Sequence, residues 1–332
     1  MSIAPLALHP APFIQTTKTT PGIMRDVLLA LTPPLLMSLY SFGPAALLIV
    51  GASTAGAVLT ERIFSPQGRS SLLDNSGLLT GLLLGLTLPP GMPLWMAFVG
   101  GVVGMGLGKL IWGGLGQNLF NPALVGRAFL QAAFPTAITT WPARGDSWFS
   151  MPASVFAPPM LHLNVDAVTA ATPLGLQKFE NISTDLGQLA LGATGGSLGE
   201  TSALVIAICG LWLYSRRAFD WHIPVSMLTT VVLFSGALYL ANPAVHPTPW
   251  FMLSSGGLMF GAVYMATDPV TSPTTSRGTL LFGVGVGLLV VLIRRFGGLP
   301  EGVMYAILLM NACTPLIERV SQPRPFGRGV NP

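Results

Sequence analysis

The sequence predicts an all-α polytopic membrane protein, with about ten transmembrane helices in two inverted five-helix repeats whose helices are in part interrupted. Three observations predict it. The 332 residues are 51% hydrophobic and 8% charged, with a mean hydropathy of +0.65, whereas soluble domains carry about 25% charged residues. Apolar stretches close to the ~20 residues that a bilayer requires recur along the whole chain. The two halves also resemble each other at a fixed offset.

Taken in order, the apolar stretches fall at roughly 24–41, 43–61, 74–89, 93–111, 119–134, 200–215, 222–241, 250–267, 279–294 and 302–318. The opening "MSIAPLALHPAPFIQTTKTTPG" has no basic segment followed by a clean apolar run, so it does not read as a cleavable signal peptide. Residues 1–23 are therefore expected to form a cytoplasmic segment and 24–134 the first repeat. Residues 135–199 form one large outer loop, 200–318 the second repeat and 319–332 a cytoplasmic tail.

Basic residues set the orientation. With the N-terminus inside, the cytoplasmic side holds Lys18, Arg25, Arg62, Arg69, Lys109, Arg216, Arg217, Arg277, Arg319, Arg324 and Arg328. The outer side holds Arg144, Lys178, Arg294 and Arg295, and Arg127 falls within a span. The positive-inside rule then selects both termini on the cytoplasmic side. The outer loop leans acidic, with Asp146, Asp166, Glu180 and Asp185 against Arg144 and Lys178.

The repeat pairs "SGLLTGLLLGLTLP" at 76–89 with "GGLMFGAVYMATDP" at 256–269, an offset of 180 residues. Identities fall at Gly77/Gly257, Leu78/Leu258, Gly81/Gly261, Thr87/Thr267 and Pro89/Pro269. An odd number of spans per half inverts the second copy. Inverted repeats place binding sites near the bilayer midplane, where short segments broken by Gly and Pro meet. Here those are the third and eighth spans.

Several function classes are excluded. A net charge of +4 is too small and too dispersed for nucleic acid. Cys209 and Cys313 sit in separate apolar segments and read as packing residues. His9, His162, His222 and His246 share no ligand spacing, so no metal site is predicted. "Asn181-Ile-Ser183" is a sequon of the kind that arises by chance, and no residue is singled out as catalytic.

The outer loop contains "VDAVTAATPLGLQ" at 165–177. Thr172 precedes Pro173, and Thr is a good N-cap while Pro suits the first helical position. "TPLGLQKF" thus reads as a helix start capped by Thr172, where free N–H groups and the helix dipole favour an anion. Local physics permits a phosphate at this hydroxyl without requiring one.

The stretch Asp166-x-x-Thr169-x-Ala171-Thr172 resembles the flavinylation motif Asp-x-x-(Ser/Thr)-x-Ala-Thr. That motif marks membrane flavin subunits of the Rnf complex and of the sodium-pumping NADH:quinone oxidoreductase. The resemblance implies that a flavin transferase joins FMN through a phosphoester to Thr172. Asp166 and Thr169 would help to form the recognised turn, and Ala171 would leave room. Many members have Ser-Gly before Ala-Thr, where this chain has Thr169 and Ala170. The nearby "LGATGG" at 191–196 lacks the acidic residue, with Gln188 in its place, so Thr194 is rejected.

"NLFNPALVGRAF" at 118–129, "GSLGETSAL" at 196–204, "ATDPVTSPTTSRG" at 266–278 and "MNACTPLIER" at 310–319 extend the likeness over nearly the whole chain. They resemble segments of the Rnf D subunit. The related B subunit of the sodium-pumping enzyme usually has a longer N-terminal extension, whereas the first span begins here near residue 24. The resemblance implies a ten-span protein that relays electrons through covalent FMN in ferredoxin:NAD+ oxidoreduction coupled to Na+ or H+ movement. It further implies a non-covalent riboflavin and membrane lipid around the chain. The implied partners are the A, B, C, E and G subunits of the Rnf complex, above all the flavin-bearing G subunit.

Intramembrane charge adds candidates, because it is costly enough to suggest function by default. Arg127 could meet a flavin phosphate or ring carbonyl, a carboxylate, or helix-end carbonyls. Asp268, in "ATDP", could cap the next turn, line an ion path or sit near the second flavin. Glu200 is expected to serve a helix start, and Asp74 and Glu301 the membrane interface. Two other readings stay open: a small-solute channel or transporter, which would not need the Asp166–Thr172 motif, and a scaffold for other subunits.

Overall fold

The computed structural model describes residues 19–65, 74–142, 149, 151–159, 172–192, 194–200, 202–243 and 245–323. Its helices begin where the sequence supplies caps. Thr19 accepts from the Gly22 N–H and opens α1 (Thr20–Phe42). Gly43, at φ 67°, turns the chain into α2 (Pro44–Phe64), which starts on proline. There follow α3 (Ser76–Leu86), α4 (Leu94–Met105, running on as a π-turn Gly106–Leu110), α5 (Pro122–Ala133) and α6 (Pro135–Thr139).

The connecting segment holds α7 (Pro173–Gly175, continued by a π-turn Leu176–Glu180), α8 (Leu186–Leu191) and a 3-10 turn, Leu198–Glu200. The second half contains α9 (Ala203–Ser215), α10 (His222–Ala241) and α11 (Pro249–Ser254). After these come α12 (Leu258–Phe260, continued by a π-turn Gly261–Met265), α13 (Ser276–Phe296) and α14 (Val303–Ser321).

Five of these, α1, α2, α10, α13 and α14, are long and apolar enough to cross a membrane as single helices. The other expected spans are shorter. α3 has 11 residues and α5 has 12, each well short of the ~20 that a crossing needs. The expected eighth span is broken into α11, α12 and a π-turn.

The breaks have sequence causes. α3 runs into Thr87 and then Pro89 and Pro90, which bring no N–H to continue a helix. α11 stops at Ser255, and Gly256 follows at φ 65°, a backbone angle that side-chain-bearing residues rarely adopt. Non-helical backbone at membrane depth persists only where protein satisfies it. Accordingly, the Leu198 N–H donates to the Leu88 carbonyl at 3.0 Å, and the Thr87 hydroxyl to the Leu84 carbonyl at 2.7 Å.

α2 packs on α3 and α4, and α4 on α5; in the second half α10 packs on α13, and α13 on α14. Between halves, α1 meets α9 and α5 meets α14. The halves are also tied by polar contacts at the interrupted elements. Asn121 Nδ2 donates to the Met265 carbonyl at 3.3 Å, and the Tyr264 hydroxyl to the Ala30 carbonyl at 2.8 Å.

In lipid, helices associate through close packing of small residues rather than through the hydrophobic effect. Gly101 shows how close. A Cβ there would lie 2.1 Å from the Ser53 carbonyl oxygen of α2. Gly101→Leu is therefore expected to abolish the monodisperse peak of the detergent-solubilised chain. Gly106→Leu should keep that peak, since a Cβ at Gly106 meets nothing within 4 Å. An unchanged Gly101→Leu profile would contradict the close α2–α4 packing.

Candidate functional site

A cavity of about 450 Å³ opens where the connecting segment meets the broken helices. Thr87, from the end of α3, and Met265, from the end of the π-turn that continues α12, both line it, so the interrupted elements of the two halves meet at one site. The expectation from the inverted repeat placed a site at these same two segments.

Thr172 lines this cavity. Its side chain accepts from the Gly175 N–H at 3.1 Å, and Pro173 occupies the first helical position, as the sequence indicated. The other motif residues, Asp166, Thr169 and Ala171, lie outside the described residues. Thr194, rejected on sequence grounds, lines the same cavity. Position alone thus does not separate the two threonines, and the motif does.

Arg127 lines the cavity from α5. Asn121 caps that helix, accepting from the Ala123 and Leu124 N–H groups, and Pro122 starts it. This register puts Arg127 on the buried face with Ala123, Leu124 and Leu130. The residue is 8% exposed, and its guanidinium takes a carboxylate partner: Nη2 lies 2.8 Å from Glu301 Oε2. Nη1 stands 4.0 Å from Glu200 Oε1.

Two readings are corrected here. Glu301 is not merely an interfacial residue, since its second oxygen accepts the Gly257 N–H at 2.7 Å and it belongs to the Arg127 cluster. Nor does Glu200 serve a helix start. Ser202 caps α9, accepting from the Val205 N–H, while Glu200 faces Arg127 and the cavity from its 3-10 turn. Arg294 completes the cluster as a buried cation, donating to the Met252 and Ser255 carbonyls at 2.7 and 3.0 Å. Sequence reasoning missed this convergence because its members are 73 to 174 residues apart in the chain, counted from Arg127, and nothing local links them.

Asp268 lies away from this cavity. Its carboxylate accepts from the Val270 N–H and the Thr271 hydroxyl, so it caps the next turn, one of the roles expected for it. It lines a second, smaller cavity of about 70 Å³ together with Lys109.

Lys109 is a further correction. Counted in the sequence among the cytoplasmic cations, it is 1% exposed and pairs with Glu61, itself fully buried, and with the Ser76 hydroxyl. Asp74, 3.8 Å from Lys109, belongs to the same cluster rather than to a bare interface. A signal was present: Lys109 is the one charged residue between Asp74 and Arg127.

Comparison with known proteins gives the family. The model of the NQR2, RnfD, RnfE family matches residues 7–327. The chain belongs to that family. Among its relatives, the D subunit of the ion-translocating oxidoreductase complex of Stutzerimonas stutzeri is 42% identical over 93% of this chain and 92% of its own length. The D subunit of the proton-translocating ferredoxin:NAD(+) oxidoreductase complex of Clostridium ljungdahlii is 40% identical over 96% and 95%. The Na(+)-translocating counterpart from Acetobacterium woodii is 38% identical over 97% and 95%. Within the NQR2, RnfD, RnfE family, relatives at nearly equal identity thus carry names with different ions, so overall similarity does not select the ion.

Proposed function

We propose that this chain is the D subunit of an Rnf-type, ion-translocating ferredoxin:NAD+ oxidoreductase, bearing FMN joined through a phosphoester to Thr172. The observation that carries the reading is the coincidence of two independent lines at one residue. Thr172 ends the flavinylation motif, and its side chain lines a cavity beside a buried arginine. At about 450 Å³ the cavity lies within the roughly 300–1,000 Å³ usual for cofactor sites.

FMN, when bound, supplies electron transfer in single or paired steps. The chain's own residues supply position and field. Thr172 fixes the attachment point at a helix start, whose dipole and free N–H groups favour the phosphodiester charge. Arg127, held in place by Glu301, adds a fixed positive charge to the cavity wall. In this reading the motif faces outward, with both termini cytoplasmic in a bacterial inner membrane. A flavin transferase modifies the chain there, and electrons pass to or from the flavin of the neighbouring G subunit, within an assembly that includes A, B, C and E. The five-segment division expected from the sequence belongs to the same proposal.

Riboflavin, implied by the resemblance, is assigned to no residue. The cavity beside Asp268, at about 70 Å³, is well below the roughly 300 Å³ of small-molecule sites.

The test is peptide mass spectrometry with in-gel flavin fluorescence on the chain co-expressed with a flavin transferase. FMN mass on the peptide containing Thr172 is the expected result, and an unmodified Thr172 from a competent host overturns the reading. Thr194→Ala, altering a threonine on the same cavity, should retain full fluorescence. Its loss would move the attachment site.

A further inference from the structure

Glu200 and Glu301 approach each other over Gly257. A Cβ on that glycine would fall 2.7 Å from Glu200 Oε1 and 2.8 Å from Glu301 Oε1, so the two oxygens converge on one point. Their surroundings are unequal. Both oxygens of Glu301 have donors, the Arg127 guanidinium on one side and the Gly257 N–H on the other. Glu200 Oε1 is buried, accepts no hydrogen bond, and stands 4.0 Å from the arginine.

A buried carboxylate oxygen without a donor is costly, and two facing carboxylates repel. One proton between the carboxyl groups removes both penalties, because it gives the orphaned oxygen a hydrogen-bond partner. The groups facing the pair are Arg127 from α5, Arg294 from α13 and the Ser197 side chain. Two arginines against two ionised carboxylates would be neutral. With one proton on the pair the cluster carries a single positive charge, which complements a phosphodiester anion in the same cavity.

We infer that Glu200 and Glu301 share a single proton on the cavity wall and act as the proton-exchanging pair for electron transfer at this site. The inference rests on the flavin reading proposed above. With FMN bound and reduced, a carboxyl O–H bond of the pair would break to release its proton into the cavity, and the carboxylate left behind would take up a proton again from bulk solvent. The electron comes from the neighbouring redox partner, so one electron and one proton enter together, and both leave on oxidation.

The geometry divides the roles: Glu301, with the Arg127 guanidinium on one oxygen and the Gly257 N–H on the other, is held as the anion, and Glu200, with an oxygen that accepts no hydrogen bond, is the proton holder.

Two measurements test the pair. The first is infrared spectroscopy of the purified complex carrying flavin-free Thr172→Asn. A protonated-carboxyl band should be present at neutral pH, titrate away on alkalinisation, and be missing when Glu200→Gln is added. The absence of any such band overturns the proton-sharing pair. Because this sample holds no covalent FMN, that result is independent of the flavin assignment. The second is the pH dependence of the FMN midpoint potential in the complex with native Thr172. It should follow one proton per electron, and Glu200→Gln, which keeps the shape and polarity of the side chain, should flatten it. An unchanged slope overturns the coupling. A complex that carries no FMN refutes the proposed function, while the infrared result still decides the pair.

Discussion

Thr172→Ala is expected to give a complex with no covalent flavin and no electron transfer through this subunit. The expected loss is complete, because the proposed phosphoester needs the Thr172 hydroxyl, and Thr194, on the same cavity, lacks the motif. The variant also removes the α7 cap, in which Thr172 accepts from the Gly175 N–H. Loss of such a cap costs about 1 kcal/mol, too little to unfold a chain of this size. Thr172→Asn separates the two effects. Asn caps a helix as well as Thr does, yet it offers no hydroxyl for the ester. Both variants should assemble, lack flavin fluorescence, and fail in ferredoxin:NAD+ turnover. Full turnover in Thr172→Asn would remove the redox role from this site and return the channel reading to first place.

Lys109→Met is expected to have the largest effect on stability. Lys109 and Glu61 form an ion pair inside the first helical group, 1% and 0% exposed, with Asp74 at 3.8 Å. Removing the lysine takes the buried counter-charge from the Glu61 carboxylate, and breaking a buried pair costs about 3–5 kcal/mol. Replacing both partners with apolar groups can be nearly neutral, so Lys109→Met combined with Glu61→Leu should recover much of the loss. The thermal midpoint of the detergent-purified chain reads both. A single variant as stable as the native chain, or a double variant no better than the single, would show that the pair does not support the fold. The same geometry makes Gly77 restrictive, since a Cβ there would lie 2.1 Å from Glu61 Oε2.

Much of this protein is written in local sequence. The apolar runs foretell where helices stand, because a bilayer leaves a backbone little choice but to close its hydrogen bonds within each helix. The Thr19, Asn121, Thr172 and Thr248 caps follow from short-range chemistry, each with a proline at the first or second helical position after it. The breaks near Pro89 and Gly256 follow likewise, from a missing N–H and a positive φ.

Only the tertiary structure decided which charges meet. Charge in sequence indicates cost, but the partner that offsets it is chosen by packing, and Glu200 and Glu301 reach Arg127 from distant turns. Lys109 looked like a cytoplasmic cation until α2 and α3 closed over it with Glu61 and Ser76. Asp268, also charged at an interrupted helix, is turned to a separate cavity. Hydropathy and spacing act over a few residues, whereas the pairing of buried charges is a property of the folded whole, set by which helix faces come together.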